Sequence, residues 1–323
     1  EEGLDESFVV NDGGVIRTQI WHYPARSECV DCHTANGGLA LGFNTAQMNR
    51  DFDHGAGPEN QIRALSDAGY FQADAGSVNH LRALATATNI AYSAEYRARS
   101  YLAANCVQCH QPGGPGQWDA RIVTPTASAG LINGKLNNDL GDATNKVIVP
   151  GAPDKSMLLR RIAIKDSHHM PPLATTELNH EAIDLVTSWI VGDSTNLVAF
   201  ADWQTRYFGS PDAADAGELA DPDADGLSNQ TEYLLGTNPL AKNDPPRTEI
   251  SSSENDVTIG FLQNPNLVYE VQFANTLGPE MLWQTLDAPG NRPFPSSTMI
   301  TNLLHDVITG DAARYYRLRV TRP

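Results

Sequence analysis

The stretch SECVDCHTANG, from Ser27 to Gly37, contains two of the four cysteines of this 323-residue chain. The other two lie in AANCVQCHQPG, from Ala103 to Gly113. Both stretches carry the pattern Cys-x-x-Cys-His, which is typical of covalent haem c attachment: the thiols form thioether bonds and the histidine is an axial iron ligand. The sequence therefore predicts two haem c groups. The predicted attachment residues are Cys29, Cys32 and His33 for the first and Cys106, Cys109 and His110 for the second.

Zinc ribbons and disulfides are the two other common uses of paired cysteines. Zinc ribbons place their Cys-x-x-Cys pairs roughly 15 to 20 residues apart, whereas Cys32 and Cys106 are 74 positions apart. Neither a zinc ribbon nor a disulfide requires a histidine directly after each pair. The repeated histidine therefore favours haem.

A second axial ligand for the second haem is expected in HHMPPL, where Met170 precedes Pro171 and Pro172. Two prolines fix φ and stiffen the loop that would hold the thioether. A methionine ligand raises the reduction potential relative to a second imidazole. His168 and His169 are rival ligands, and Met170 as a filler of the apolar core is the other alternative.

The second ligand of the first haem is less clearly marked in the sequence. Met48 is favoured, because a helix after GGLALGF would bring it over the distal side of the haem. His80, His54 and His22 remain alternatives, and a five-coordinate iron stays open.

An acidic stretch, DPDADGLSNQTE, fits the calcium-loop pattern D-x-[DN]-x-[DN]-G-x5-E. Hard cations bind oxygen ligands, and the glycine of the pattern permits a sharp turn. We expect one Ca²⁺ that stiffens a joint between domains, the alternative being a solvated acidic linker. The predicted ligands are Asp221, Asp223, Asp225, the Leu227 carbonyl, Asn229 and Glu232.

The remaining pattern predicts a multidomain fold. ENQIRALSDAGYF, YSAEYRARSYLAANC and NHEAIDLVTSWIV have helical features, whereas alternation at Val257, Ile259 and Phe261 and near the end of the chain predicts strands. We expect two mainly α cytochrome c-like domains, a linker with a calcium loop, and a small all-β, sandwich-like domain. The predicted ranges are 1–93 and 94–193 for the haem domains, 194–245 for the linker with its helix and EF-hand-like loop, and 246–323 for the β domain.

The stretch HYPARSECVDCHTANGGLALGFNTAQMNRD, with NQIRALSDAGYF, YRARSYLAANCVQCHQPGGPG and MPPL, resembles bacterial dihaem c-type cytochromes found with, or fused to, quinone-dependent sugar dehydrogenases. The resemblance covers Gly14 to Gly192 and implies the same haem attachment residues, with Met170 as a ligand. DPDADGLSNQTEYLLGTNPLAKND resembles the calcium-binding, thrombospondin-type-3-like repeats of exported bacterial proteins.

Charge limits the classes of partner. Lys and Arg total 22 against 39 Asp and Glu, a net charge of −17, which argues against nucleic acid and favours a basic protein partner. No run approaches the roughly 18 apolar residues of a membrane span. The chain starts at Glu1 without the features of an export signal, so we expect that a signal has been removed or that the chain was cut from a longer one.

These features together predict an exported dihaem carrier in the periplasm, outside the cell or at the cell surface. It would transfer one electron at a time between a dehydrogenase or another cytochrome and a further carrier. We expect electron transfer more than catalysis on a substrate of its own. The alternatives are a dihaem peroxidase-like enzyme with one open haem and a haem-bearing subunit of a self-assembling extracellular structure.

Overall fold

The computed structural model describes residues 2–173, 175–243, 247–279, 281–308 and 313–323. Within these residues helices account for 23% and strands for 22%. Backbone contacts divide the chain into two compact units. The first unit comprises Glu1–Gly42, Thr86–Asn89 and Arg97–Leu197, and the second comprises Phe43–Ala85, Ile90–Tyr96 and Val198–Pro323.

The α-helices of the described residues are short. They are α1 (Arg26–Cys29), α2 (Thr45–Met48), α3 (Gln61–Asp67), α4 (Ala94–Asn105), α5 (Met157–Ala163), α6 (His180–Val191), α7 (Phe200–Phe208) and α8 (Asn229–Leu235). The strands are β1 (Leu4–Asp12), β2 (Val15–Tyr23), β3 (Asp51–Asp53), β4 (Pro58–Asn60), β5 (Thr248–Ser253), β6 (Asp256–Gln263), β7 (Val268–Ala274), β8 (Gln284–Thr285), β9 (Ile300–Val307) and β10 (Tyr315–Thr321).

The predicted fold class, with two mainly α cytochrome domains, was wrong. With 23% helix the described residues do not form two mainly helical domains, and they are not all-β either. The physical reason is local. Around both cysteine pairs the chain is rich in Gly, Pro and Asn and forms turns, and α1 has only 4 residues. Ahead of the first pair the chain forms the antiparallel hairpin β1–β2, with Leu4 opposite Tyr23.

The predicted domain boundaries do not coincide with the boundaries of the two compact units. Both cysteine motifs lie in the first unit, and Phe43–Ala85 belongs to the second unit together with the C-terminal strands. The expected boundaries at residues 93, 193 and 245 stay a prediction.

Helices α5 and α6 supply the core of the first unit. α6 begins after Asn179, whose side-chain oxygen accepts a hydrogen bond from the Ala182 N–H, a common way to satisfy the free N–H groups of a helix start. Its apolar residues recur at helical spacing, as predicted, so that one side of the helix is buried. The buried residues of α6 are Ala182, Leu185, Val186, Trp189 and Ile190, and those of α5 are Met157, Leu158, Leu159 and Ile162.

Truncating Ile190 should destabilise this core strongly. The side chain is fully buried, and an Ile→Ala change at such a site costs roughly 2–5 kcal/mol because it removes apolar contacts and leaves a cavity. We expect Ile190→Ala to lower the denaturant midpoint of the first unit, measured by circular dichroism. Asp184→Ala, an exposed change on the same helix, is the control. Equal midpoints for the two variants would contradict this packing.

Two three-stranded antiparallel sheets form the core of the second unit. Their orders are β5–β6–β9 and β10–β7–β8. The alternating residues Val257, Ile259 and Phe261 lie on β6, and their side chains pack in one core with Tyr269 and Val271 of β7. The strands at these positions agree with the period-two pattern of the sequence.

Among the helices of the described residues, none combines the length and apolar character that crossing a membrane requires.

Candidate functional site

The first Cys-x-x-Cys-His motif starts at the end of α1. The Glu28 carboxylate accepts a hydrogen bond from the Ala25 N–H (2.7 Å) and thereby caps the start of this helix. It also contacts Nε2 of His22 at 3.0 Å, while Nδ1 of His22 contacts Asp5 at 2.6 Å. Hydrogen bonds to Glu28 and Asp5 raise the pKa of His22. The hairpin β1–β2 is thus tied to the short helix that ends at Cys29.

The two motifs have the same backbone hydrogen bonds. In the first, Cys29 O accepts from the N–H groups of Cys32 (3.3 Å) and His33 (2.9 Å). In the second, Cys106 O accepts from Cys109 (3.2 Å) and His110 (2.8 Å). Side chains three and four positions apart lie on the same face of such a turn. Each motif therefore places two cysteines and a histidine within a single helical turn.

The two motifs also contact each other within the first unit. The Cys109 thiol lies 3.3 Å from Asp31 O and is hydrogen-bonded to the Cys32 thiol. A second contact follows further along, where Asn36 Nδ2 donates to Gly113 O. We call this contact zone, from Asp31 to Asn36 and from Cys109 to Gly113, the motif seam.

The two histidines predicted as axial ligands, His33 and His110, are in different surroundings. Nδ1 of the exposed His33 is hydrogen-bonded to Leu39 O, which leaves Nε2 available for a metal. His110 is half-buried and stacks on Trp118 with 4.0 Å between ring centroids. Its Nδ1 is buried without a hydrogen-bond partner. Gly116 allows this position, because a Cβ there would lie 2.2 Å from His110 Nδ1.

Burial controls the protonation of the second motif. It raises the pKa of Cys106 to about 12, with a smaller contribution from Cys109. Burial also raises the pKa of Cys109 to about 11, helped by the neighbouring Cys32 thiol. The pKa of His110 is lowered to about 4 by burial and by the positive charge of Arg161. At neutral pH the two cysteines are thiols and the imidazole is neutral, the form that binds metals.

The chain after His110 is fixed by a buried arginine. The Arg99 guanidinium donates hydrogen bonds to Asp119 O (3.0 Å), Arg121 O (2.7 Å) and Thr124 O (2.8 Å). The next residue, Ala120, donates its N–H to His110 O at 2.7 Å. The Asp119 carboxylate closes the loop by accepting from Arg121 and Thr124, each at 2.6 Å. This loop positions the backbone of His110.

The Asp119 loop should make stability sensitive to acid. Burial alone would raise the pKa of Asp119, but the hydrogen bonds from Arg121 and Thr124 outweigh it and lower the pKa from 3.8 to about 2. A carboxylate with a lowered folded-state pKa stabilises the fold above its unfolded-state pKa, and this stability is lost as the pH falls through the folded-state value.

We therefore expect the gap in denaturant midpoint between the native chain and Asp119→Asn to be wide at pH 5 and to narrow between about pH 4 and pH 2. At the lower pH the protonated acid and the amide are nearly equivalent. If the difference in denaturant midpoint stayed constant over this range, the charged Asp119 carboxylate would not be the source of the stability.

Met170 lies in the first unit with His110, and Met48 lies in the second. The half-buried Met170 donates its N–H to Arg161 O at 3.0 Å, and the charge of Arg161 acts on His110. Arg161 thus connects the Met170 segment with the second motif. Both methionines stay predictions as iron ligands.

The histidines that are alternative candidates for the second iron ligands have other contacts or are exposed. Both ring nitrogens of His22 are engaged by carboxylates. His168 contacts Asp166 at 3.3 Å and His169 contacts Thr175 at 3.1 Å. His54 and His80 are exposed in the second unit.

The acidic stretch forms a closed loop before α8. Carboxylate oxygens of Asp221, Asp223 and Asp225 lie within 4.8 Å of one another. Backbone N–H groups orient them: Gly226 donates to Asp221 (3.0 Å) and Leu227 donates to Asp225 (2.8 Å). Gly226 has a φ of 94°, a conformation that glycine adopts without steric cost.

Two carboxylates of this loop have buried oxygens without a partner. Glu232 is fully buried, and its Oε2 has no hydrogen-bond partner, nor has Oδ2 of Asp223. Burial and the charges of Asp223 and Asp225 raise the pKa of Glu232. Buried polar atoms of this kind call for a partner, such as an ion. The donor set and the orphaned oxygens fit a hard cation.

Asn243 is a residue of this site that the sequence pattern did not identify. Its N–H donates to Asp225 at 2.7 Å and its amide donates to Glu232 at 3.1 Å. Because Asn243 lies beyond the twelve-residue calcium-loop pattern, only the folded chain brings it to the loop.

No family model, curated protein or solved structure matches the chain. The expected membership of the bacterial dihaem cytochrome family was therefore wrong, and so was the likeness to thrombospondin-type-3 repeats. The low helix content of the described residues, 23%, also differs from two cytochrome domains. Any function of the two motifs and of the acidic loop has to be inferred from the residues themselves.

Proposed function

We propose that the chain carries two covalently attached haem c groups and serves as a one-electron carrier outside the cytoplasm. The observation that carries the proposal is the shared turn of the two motifs, in which two cysteines and a histidine are held by the same hydrogen bonds to Cys29 O and Cys106 O. This proposal is independent of the family prediction, which was wrong. It is supported by this turn and by the chemistry of the cysteine and histidine donors.

The residues of the two Cys-x-x-Cys-His motifs fit haem c in three respects. Each motif offers two thiols and one imidazole within a single helical turn. His33 keeps Nε2 available because Nδ1 contacts Leu39 O, and His110 is neutral at physiological pH because its pKa is about 4. No three Cys, His, Asp or Glu side chains of either motif form a metal-sized cluster in the described part of the chain, which disfavours a zinc site.

In this proposal the cysteines attach the haem groups covalently and the histidines bind the iron. Cys29 and Cys32 would hold one group and Cys106 and Cys109 the other, with His33 and His110 as the axial ligands. Bound haem would supply the Fe(III)/Fe(II) couple, which takes up or releases one electron. Trp118 would orient the His110 ring, and the loop bonded to Arg99 would fix its backbone. Met170 remains the proposed second ligand on the side of His110, whereas the second ligand of the His33 haem is left open.

The net charge of −17 would steer a basic redox partner toward the chain. We propose a dehydrogenase or another cytochrome as the electron donor and a second carrier as the acceptor, in the periplasm or at the cell surface.

The acidic loop would bind one Ca²⁺ in the same proposal. The ion would neutralise Glu232, whose pKa is raised by burial and by the charges of Asp223 and Asp225, together with these two aspartates. Because Asn243 contacts both Asp225 and Glu232, a bound ion would also hold Asn243 against the loop.

Reductive titration of the exported chain tests the electron-carrier function. We expect reversible uptake of two electrons per chain and no turnover of hydrogen peroxide. Absence of reversible reduction would contradict the proposal. Peroxide-dependent oxidation of a reductant, with a high-spin iron signal, would replace it by the peroxidase-like alternative.

A further inference from the structure

The motif seam places one thiol of each motif against a thiol of the other. The Cys109 thiol is hydrogen-bonded to the Cys32 thiol and lies 3.3 Å from the carbonyl oxygen of Asp31, the residue before Cys32. Both cysteines are half-buried and both are free thiols. Cys109 thus interacts with a thiol of the other motif as well as with Cys106 of its own motif.

Contacts on both sides of the thiols hold the seam together. Asn36 donates to Gly113 O beyond Cys109. Gly37 packs so closely that a Cβ would lie 2.8 Å from Cys32 O and 3.2 Å from Gln108 O. The backbone of each motif is fixed by its own turn. The backbone segments that carry Cys32 and Cys109 are therefore held close to each other by several independent contacts.

We propose that Cys32 and Cys109 form a disulfide in the haem-free chain. This modification site joins the two motifs covalently and goes beyond the proposed electron-carrier function. The oxidant would be a disulfide of low molecular weight or of a protein.

The reaction is a thiol–disulfide exchange in two steps. The thiolate of one cysteine attacks a sulfur of the oxidant, forms a mixed disulfide and releases one thiol of the oxidant. The thiolate of the other cysteine then attacks the protein sulfur of that mixed disulfide, forms the Cys32–Cys109 bond and releases the second thiol. Two protein thiols are oxidised and one disulfide is reduced to two thiols, which take up the two protons.

The disulfide would have a consequence that rests on the proposed haem attachment. A cysteine in a disulfide has no thiol to form a thioether, so one Cys32–Cys109 bond would block both motifs at once. Reduction of this single bond would make both motifs available together. The pairing itself does not require that haem ever binds.

Peptide mapping of the full chain, produced without haem attachment and oxidised with glutathione disulfide, tests the pairing. Trypsin cleaves after Arg26 and Arg50 and after Arg99 and Arg121, so each motif lies in its own peptide with both of its cysteines. We expect a cross-linked species of the two peptides without reductant and its loss on reduction. Separate peptides, each with an internal disulfide, would overturn the proposal.

Paired variants identify the sulfurs. Cys29→Ala with Cys106→Ala should keep the cross-link, whereas Cys32→Ala with Cys109→Ala should lose it. Equal cross-linking in both double variants would mean a non-specific contact and would also overturn the proposal. Because all these samples are haem-free, the result is independent of haem attachment, which is measured separately on the exported chain.

Discussion

Replacing Cys106 and Cys109 together by serine is expected to halve the covalently bound haem of the exported chain, from two groups to one. Serine hydroxyls do not form the thioether bonds that hold haem c, and each motif has its own thiols and its own turn hydrogen bonds. The haem content would be measured by the haemochrome spectrum in pyridine, and the number of attached groups by intact mass after denaturation.

The matched variants sharpen this test. Cys29→Ser with Cys32→Ser should remove the haem of the first motif, so that this double variant also retains one haem group per chain. Gln108→Ala, which changes a residue between the cysteines of the second motif, should retain both groups. An unchanged haem content in either double serine variant would contradict attachment at that motif. Loss of both groups from one substitution would contradict two independent attachment sites.

Replacing Glu232 by glutamine should remove the calcium-dependent stability of the second unit. Glu232 is fully buried with an unpartnered oxygen that faces the charges of Asp223 and Asp225. A ligand saturating at 100 times its Kd stabilises a fold by about 2.7 kcal/mol. The variant should lose most of this stabilisation. Its affinity for Ca²⁺ should fall by at least about tenfold, because mutation of a residue that merely contacts a metal ligand already lowers metal affinity by roughly 10–100-fold.

Thermal unfolding with Ca²⁺ and with a chelator measures this effect, and isothermal titration with Ca²⁺ alone measures the affinity. Glu218→Gln is the control, because it removes the same charge from an exposed residue outside the calcium pattern. If chelation changes neither the melting temperature nor the protease sensitivity after Gly209 in the native chain, the loop is a solvated acidic segment. An equal loss of affinity in both variants would indicate general electrostatic attraction instead of a site.

Several elements could be predicted from the sequence because their signals are local. The helical spacing of Val186, Trp189 and Ile190 lies within α6, and the alternation at Val257 and Ile259 lies within β6. The acidic loop also follows a local pattern. These signals depend on neighbours a few residues apart. The helix α6 and the strand β6 lie where the spacing of apolar residues predicts them.

The fold class could not be predicted in this way, because it depends on which distant segments pack together. Phe43–Ala85 is grouped with the C-terminal strands and not with the first motif that precedes it. The motif seam and the contacts of Asn243 are also non-local. The hairpin β1–β2 did carry a local signal, since an Asn-Asp-Gly-Gly turn separates two segments that contain β-branched residues.

The most direct test of haem attachment is a thiol count combined with a redox-titrated visible spectrum on the 323-residue chain produced in a host that attaches haem c. The proposal predicts that none of the four cysteines reacts with an alkylating reagent after denaturation and reduction, and that reduction produces the α-band of two low-spin haems per chain. Four alkylated cysteines and no α-band would contradict it.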